Sequence, residues 1–154
     1  MIKINVITSN LGWRNYIKNP NNFIDKKINI YNKNNKTFKN NTIYCTLLLS
    51  GSKEIKKLNF KFRKKNKSTD VLSFPFYKKK ELRNILKKEK EIYLGDIIIN
   101  FNEVGYKNNL KLFKSRFDKL WVHGLVHLFG HDHKSEKDFK KMKRVEIEYL
   151  KNIK

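Results

Sequence analysis

The chain has 154 residues and carries 36 Lys+Arg against 14 Asp+Glu, a formal net charge of +22. That length suits one domain, and 39% hydrophobic residues supply one ordinary core, which excludes collagen-like, mucin-like and wholly disordered classes. The only cysteine, Cys45, lies in an apolar run where a buried, inert thiol is expected, so there is no disulfide scaffold or disulfide-linked partner. No stretch approaches the roughly 20 apolar residues of a membrane span. The N-terminus has no apolar signal core, so a soluble cytoplasmic protein without a membrane partner is expected.

Ile2 to Thr8 alternates apolar and polar residues and predicts a strand. Trp13 to Lys33 has loose helical spacing interrupted at Pro20, and Asn32 to Asn41 reads as a polar loop. Thr42 to Leu49 predicts a central strand. Ser52 to Lys64 predicts a helix with Ser52 as its N-cap. Val71 to Phe74 is a short strand stopped by Pro75, which suits a sheet edge. The lysine-rich segment Tyr77 to Glu91 is either a surface helix or an insertion. Leu94 to Asn100 predicts a fourth strand, and Asn102 to Leu112 looks helical. Ser115 and Asp118 form a capping pair before a helix from Leu120 to Phe129. Ser135 and Asp138 repeat that pattern before a last helix carrying Phe139, Met142, Val145 and Tyr149. Together these elements predict one α+β domain over residues 1–154.

All four histidines lie within the segment Trp121 to His133, WVHGLVHLFGHDH. His123 and His127 are four apart, so on a helix both imidazoles leave one face. Gly130 then suits a left-handed helix stop that returns the chain and lets His133 face the pair. Three converging imidazoles make a zinc site with an open fourth position, the mark of a catalytic rather than a structural centre, although imidazole also suits nickel, copper and iron. The same offsets occur in the metzincin peptidase pattern, but Gly124 stands where that pattern has its glutamate base.

The pattern H-G-x-x-H-x-x-G-x-D-H, built here from His123, Gly124, His127, Gly130, Asp132 and His133, resembles that of the YbeY family of bacterial endoribonucleases. Asn59, Arg63 and the run Ser68-Thr69-Asp70-Val71-Leu72-Ser73-Phe74-Pro75 are similar to a second block of that family, and Leu94-Gly95-Asp96-Ile97 to a third. His131 departs from the pattern, standing where the family usually has an aromatic residue.

The resemblance implies a mixed four-stranded sheet packed with helices, with a metal at the end of a cleft. It implies metal-dependent cleavage of single-stranded RNA, maturation of the small-subunit rRNA 3′ end, and ribosome quality control. The implied partners are the rRNA precursor and the small ribosomal subunit, with a ribosomal protein and a ribosome-associated GTPase as further candidates. A zinc-peptidase reading and a non-catalytic RNA- or ribosome-binding module with a structural metal are the alternatives.

The remaining candidate residues follow from phosphodiester chemistry. Cleavage needs positive charge on the non-bridging oxygens, and the planar fork of Arg63 can bind them bidentately. By itself Arg63 reads as an exposed helix residue in a basic stretch, and it is the resemblance of its block that implies the functional role. The many lysines are read as a largely solvated surface that attracts RNA diffusely; the composition, which lacks alanine and glutamine, points to a biased genome as one cause of their excess. Asp132 either accepts the free N–H of a ligand histidine or serves the turn. Ser73 either lines the RNA groove or alternates outward on the edge strand. His131 is expected at the surface or against RNA rather than on the metal.

Overall fold

The computed structural model describes residues Met1–Lys154. Strand β1 (Ile2–Thr8) leads through a 3-10 turn (Leu11–Asn15) to helix α1 (Pro20–Asn34). Strand β2 (Thr42–Ser50), helix α2 (Ser52–Arg63), strand β3 (Val71–Pro75), helix α3 (Lys79–Lys88) and strand β4 (Glu91–Asn100) follow. A second 3-10 turn (Phe101–Glu103) precedes helices α4 (Leu110–Leu128) and α5 (Glu136–Asn152). The strands form one sheet in the order β1-β2-β4-β3. β1, β2 and β4 are parallel, and β3 runs antiparallel at the edge. The predicted mixed four-stranded α+β architecture is therefore the observed one.

Alternation along β1 and β2 sends Ile2, Ile4, Val6, Ile43, Cys45, Leu47 and Leu49 to one face. There they join the apolar residues of α1, α4 and α5 in the main core. Trp13 is buried in that core among Phe101, Phe113 and Phe117, and its indole N–H donates to the Ser50 carbonyl at 3.1 Å. On the opposite face only α2 covers the sheet, through a small cluster of Ile55, Leu72 and Ile98. No helix is long and apolar enough to cross a membrane.

Several boundaries differ from the sequence reading. Pro20 starts α1 as its first residue instead of interrupting a helix, because its missing N–H costs nothing there and Asn19 caps the turn. That helix continues to Asn34, which shortens the expected polar loop. Ser52 is not a cap. Gly51 holds that position, and the Ser52 hydroxyl accepts from the Asn100 and Asn102 side-chain amides, each at 3.0 Å.

The region from Asn102 to Leu112 is mostly not helical, since the backbone turns left-handed at Gly105 and Tyr106 before Asn109 caps α4. Ser115 and Asp118 lie inside α4 and cap nothing. Phe113 and Phe117 are fully buried one turn apart and extend the helix's core face well before Leu120. Asp118 instead pairs with Lys27 at 2.8 Å and accepts from the Trp121 indole at 3.1 Å. The lysine-rich segment is a helix, α3, anchored by Leu82, and the Ser135 cap of α5 is as expected.

Candidate metal centre and the groove beside it

His123 and His127 leave α4 one turn apart, their ring centroids 4.6 Å apart and their planes nearly perpendicular. The chain leaves α4 and turns at Gly130 (φ 81°). The following loop brings the His133 ring to 6.1 Å from His123 and 5.3 Å from His127. One nitrogen from each of the three rings lies within 4.8 Å of the others. His131 is outside this grouping.

Hydrogen bonding places a proton on Nδ1 of two rings. His123 Nδ1 lies 2.6 Å from the Glu146 carboxylate, and His127 Nδ1 lies 2.9 Å from the His131 backbone carbonyl. Both partners are acceptors, so each ring carries a proton on Nδ1, and in its neutral form it leaves Nε2 as a free lone pair. Those two Nε2 atoms face each other at 3.1 Å. Two lone pairs cannot bond to one another, but a cation between them satisfies both. Zn–N bonds of about 2.0–2.1 Å place tetrahedral donors about 3.3 Å apart. The donor set therefore fits one transition-metal ion with a fourth position open.

Burial, and then the neighbouring His123, hold the His127 imidazole below its ordinary pKa, which favours the neutral, ligating form. Burial raises the Glu146 carboxyl. The His123 hydrogen bond and the His123 and Lys143 charges outweigh it and hold the group below its ordinary value.

Of the two roles open to Asp132, the contacts match the turn. Its carboxylate accepts from the His133 backbone N–H at 2.8 Å and pairs with Lys134 at 3.1 Å. The acceptors for the two helix-borne rings are Glu146 and the His131 carbonyl. Sequence reading missed Glu146 because it stands 23 residues from His123, on α5. A carboxylate adjoining the apolar face of a helix that also carries Val145 and Tyr149 was the available signal.

A groove of about 890 Å³ runs from His127 and His133 past Ser73, Pro75 and Phe76 to Arg63. The Arg63 guanidinium donates to the Ser73 carbonyl at 2.9 Å and lies 5.7 Å from the centre of the Phe74 ring. One edge of the fork is thus fixed while the side chain still borders the groove. Ser73 is buried, and its hydroxyl donates to the Gly124 carbonyl at 3.3 Å, so it faces α4 rather than solvent. A Cβ on Gly124 would sit 2.5 Å from Ile97 Cγ2 and 3.1 Å from Ser73 Oγ. The position where a zinc peptidase carries its glutamate is pressed against the sheet and admits no side chain.

A family model described as Endoribonuclease YbeY matches residues 10–154. The chain belongs to the YbeY endoribonuclease family. The assignment carries the enzyme class, a hydrolase. The chain is 43% identical to Endoribonuclease YbeY of Pelagibacter ubique over 100% of its own length and 97% of that protein. It is 34% identical to the Thermodesulfovibrio yellowstonii protein of the same name, over 84% of this chain and 77% of that one. The solution structure of TM1509 from Thermotoga maritima shares the fold, with a TM-score of 0.57 and 23% identity over 98% of this chain and 89% of that one.

The other YbeY-like blocks brace the chain around Arg63 and β3. Asn59 is buried on α2 and donates to the Lys67 carbonyl at 2.8 Å, which ties down the loop after Arg63. Asp70 accepts from the Val71 N–H at 2.8 Å and pairs with Arg116 at 3.1 Å, bracing the start of β3. In Leu94-Gly95-Asp96-Ile97, β4 holds one residue more than β2 between Tyr93 and Asp96. Gly95 takes φ 130°, and a Cβ there would meet the Phe74 carbonyl oxygen at 2.1 Å. The bulge brings Tyr93 and Asp96 to the same face, where the tyrosine hydroxyl donates to Asp96 at 2.6 Å.

Proposed function

We propose that this chain is a metal-dependent endoribonuclease that cuts single-stranded RNA, with His123, His127 and His133 as ligands of one zinc ion and Arg63 on the scissile phosphate. The observation that carries the reading is the pair of Nε2 atoms facing each other at 3.1 Å, at one end of a groove whose other end is bordered by Arg63. When bound, a zinc ion supplies Lewis-acid chemistry: it lowers the pKa of a coordinated water to about 7 and polarises a phosphoryl oxygen.

The chain's own residues do the rest. Three neutral imidazoles hold the ion, and the Glu146 carboxylate and the His131 carbonyl fix two of their tautomers. Arg63, already held by Ser73, offers its remaining N–H groups to non-bridging oxygens, where charge accumulates during displacement. The lysine-rich surface draws the polyanion in.

In the cell, the reading extends to maturation of the small-subunit rRNA 3′ end and ribosome quality control in the cytoplasm. The substrate is an rRNA precursor on or near the small ribosomal subunit, with a ribosomal protein and a ribosome-associated GTPase as delivering partners. Family membership supports this extension.

The test is direct. Purified chain should contain about one metal ion by elemental analysis and cut single-stranded RNA, with cleavage suppressed by a chelator and casein left intact. His127→Ala should lose both the metal and the cleavage. Unchanged metal content in that variant, or proteolysis without RNA cleavage, overturns the reading.

A further inference from the structure

Two phenylalanines next to the groove are left in solvent: Phe76 is 66% exposed and Phe62 is 58% exposed. Their positions follow from the strand. Phe74 lies on β3 and Phe76 just past its end, where the Phe76 N–H continues the ladder to the Leu94 carbonyl at 2.7 Å. The Phe76 ring meets Tyr77 and Tyr93 edge-on, at centroid distances of 5.0 Å and 6.2 Å, which fixes its tilt without covering it. Phe62, the residue before Arg63, lies 5.2 Å from Phe74, the ring that the Arg63 guanidinium approaches.

The surroundings are cationic. Lys61 Nζ lies 5.3 Å from the Phe62 ring centre, and Lys65, Lys78 and Lys79 line the groove with Arg63. The nearby Glu81 carboxylate is occupied by the Lys78 backbone N–H, and Asp132 by Lys134.

We propose that Phe76 and Phe62 are stacking platforms for unpaired bases of the RNA whose phosphate lies at Arg63. This rests on the endoribonuclease reading and adds how strandedness is recognised. A single strand offers both things this surface lacks, a flat π face for each exposed ring and a phosphate for each neighbouring cation. The surface is continuous with the groove, since Phe76 itself lines it beside His127 and Arg63. In a duplex the bases are stacked on one another and cannot reach the rings, so the platforms select single strands.

The experiment uses the full chain and a fluorescent oligouridine in anisotropy titrations at several salt concentrations, with a chelator to prevent cleavage. A hairpin RNA of the same length is the comparison. Phe76→Leu and Phe62→Leu should each weaken oligouridine binding about five-fold or more, leave the slope of log affinity against log salt unchanged, and narrow the preference over the hairpin. Phe76→Tyr should bind as wild type. Replacing Lys78 and Lys79 with alanine should instead flatten the salt slope, by about 0.7 for each phosphate that is no longer neutralised. Leucine variants with wild-type affinity and wild-type strand preference overturn the stacking proposal while the metal-loaded chain still cuts RNA. If the wild-type chain neither binds nor cuts RNA, the endoribonuclease reading falls and the platforms fall with it.

Discussion

The Glu146 carboxylate holds His123 Nδ1 at 2.6 Å and so joins α5 to the histidine-bearing face of α4. The contact selects the tautomer and aims Nε2 into the centre. Glu146→Ala should lower zinc affinity by about 10–100-fold, the range for removing such a partner. Glu146→Gln, which retains a carbonyl acceptor, should lose less. Competition with a chromophoric chelator measures both. Equal affinities in wild type and Glu146→Ala would deny the carboxylate its orienting role.

Arg63→Ala should reduce single-turnover cleavage at saturating enzyme by roughly 10²–10³ and change RNA affinity only modestly. A contact that strengthens as charge develops on a phosphate shows its loss in the rate rather than in affinity. Full rate recovered at saturating enzyme would place Arg63 with the general basic surface instead.

Gly124→Ala introduces a methyl group 2.5 Å from Ile97 Cγ2. Forcing a methyl group into a packed contact costs about 1–3 kcal/mol, which for a chain of this size lowers Tm by several degrees. Thermal unfolding followed by circular dichroism reads this out. A variant as stable as wild type would mean that α4 can move away from the sheet without penalty.

Burial, aided by the Asp96 charge, pushes the Cys45 thiol up to about 12. At pH 8 the thiolate fraction is then on the order of one in ten thousand, rising tenfold per pH unit until the pKa is reached. The native chain should leave a disulfide reagent such as Ellman's unreacted at pH 8, while the chain in denaturant reacts at once. Fast native reaction would contradict the burial of β2.

Much of the fold was legible in the residues. Period-two alternation marked β1, an apolar run marked β2, and Pro75 marked an edge. The i, i+4 histidines with Gly130 and His133 foretold the convergence. The start of α4 was not legible, because Ser115 and Asp118 imitate a cap that only the burial of Phe113 and Phe117 overrules. Glu146 was hidden for a different reason: helix packing, not local sequence, brings α5 to α4. The bulge at Gly95 was hidden as well, since the extra residue shows only against the register of β2.

The free side of β3 has a further consequence. A strand at the rim of a sheet offers unpaired backbone groups to any other extended chain. Here the Val71 N–H is taken by Asp70, the Ser73 carbonyl by Arg63, and Pro75 has no N–H to offer. The arginine assigned to the phosphate therefore also occupies one acceptor of the rim, and its removal frees that acceptor for strand addition. Arg63→Ala should therefore self-associate on storage more than wild type, and light scattering over time reads this independently of any RNA.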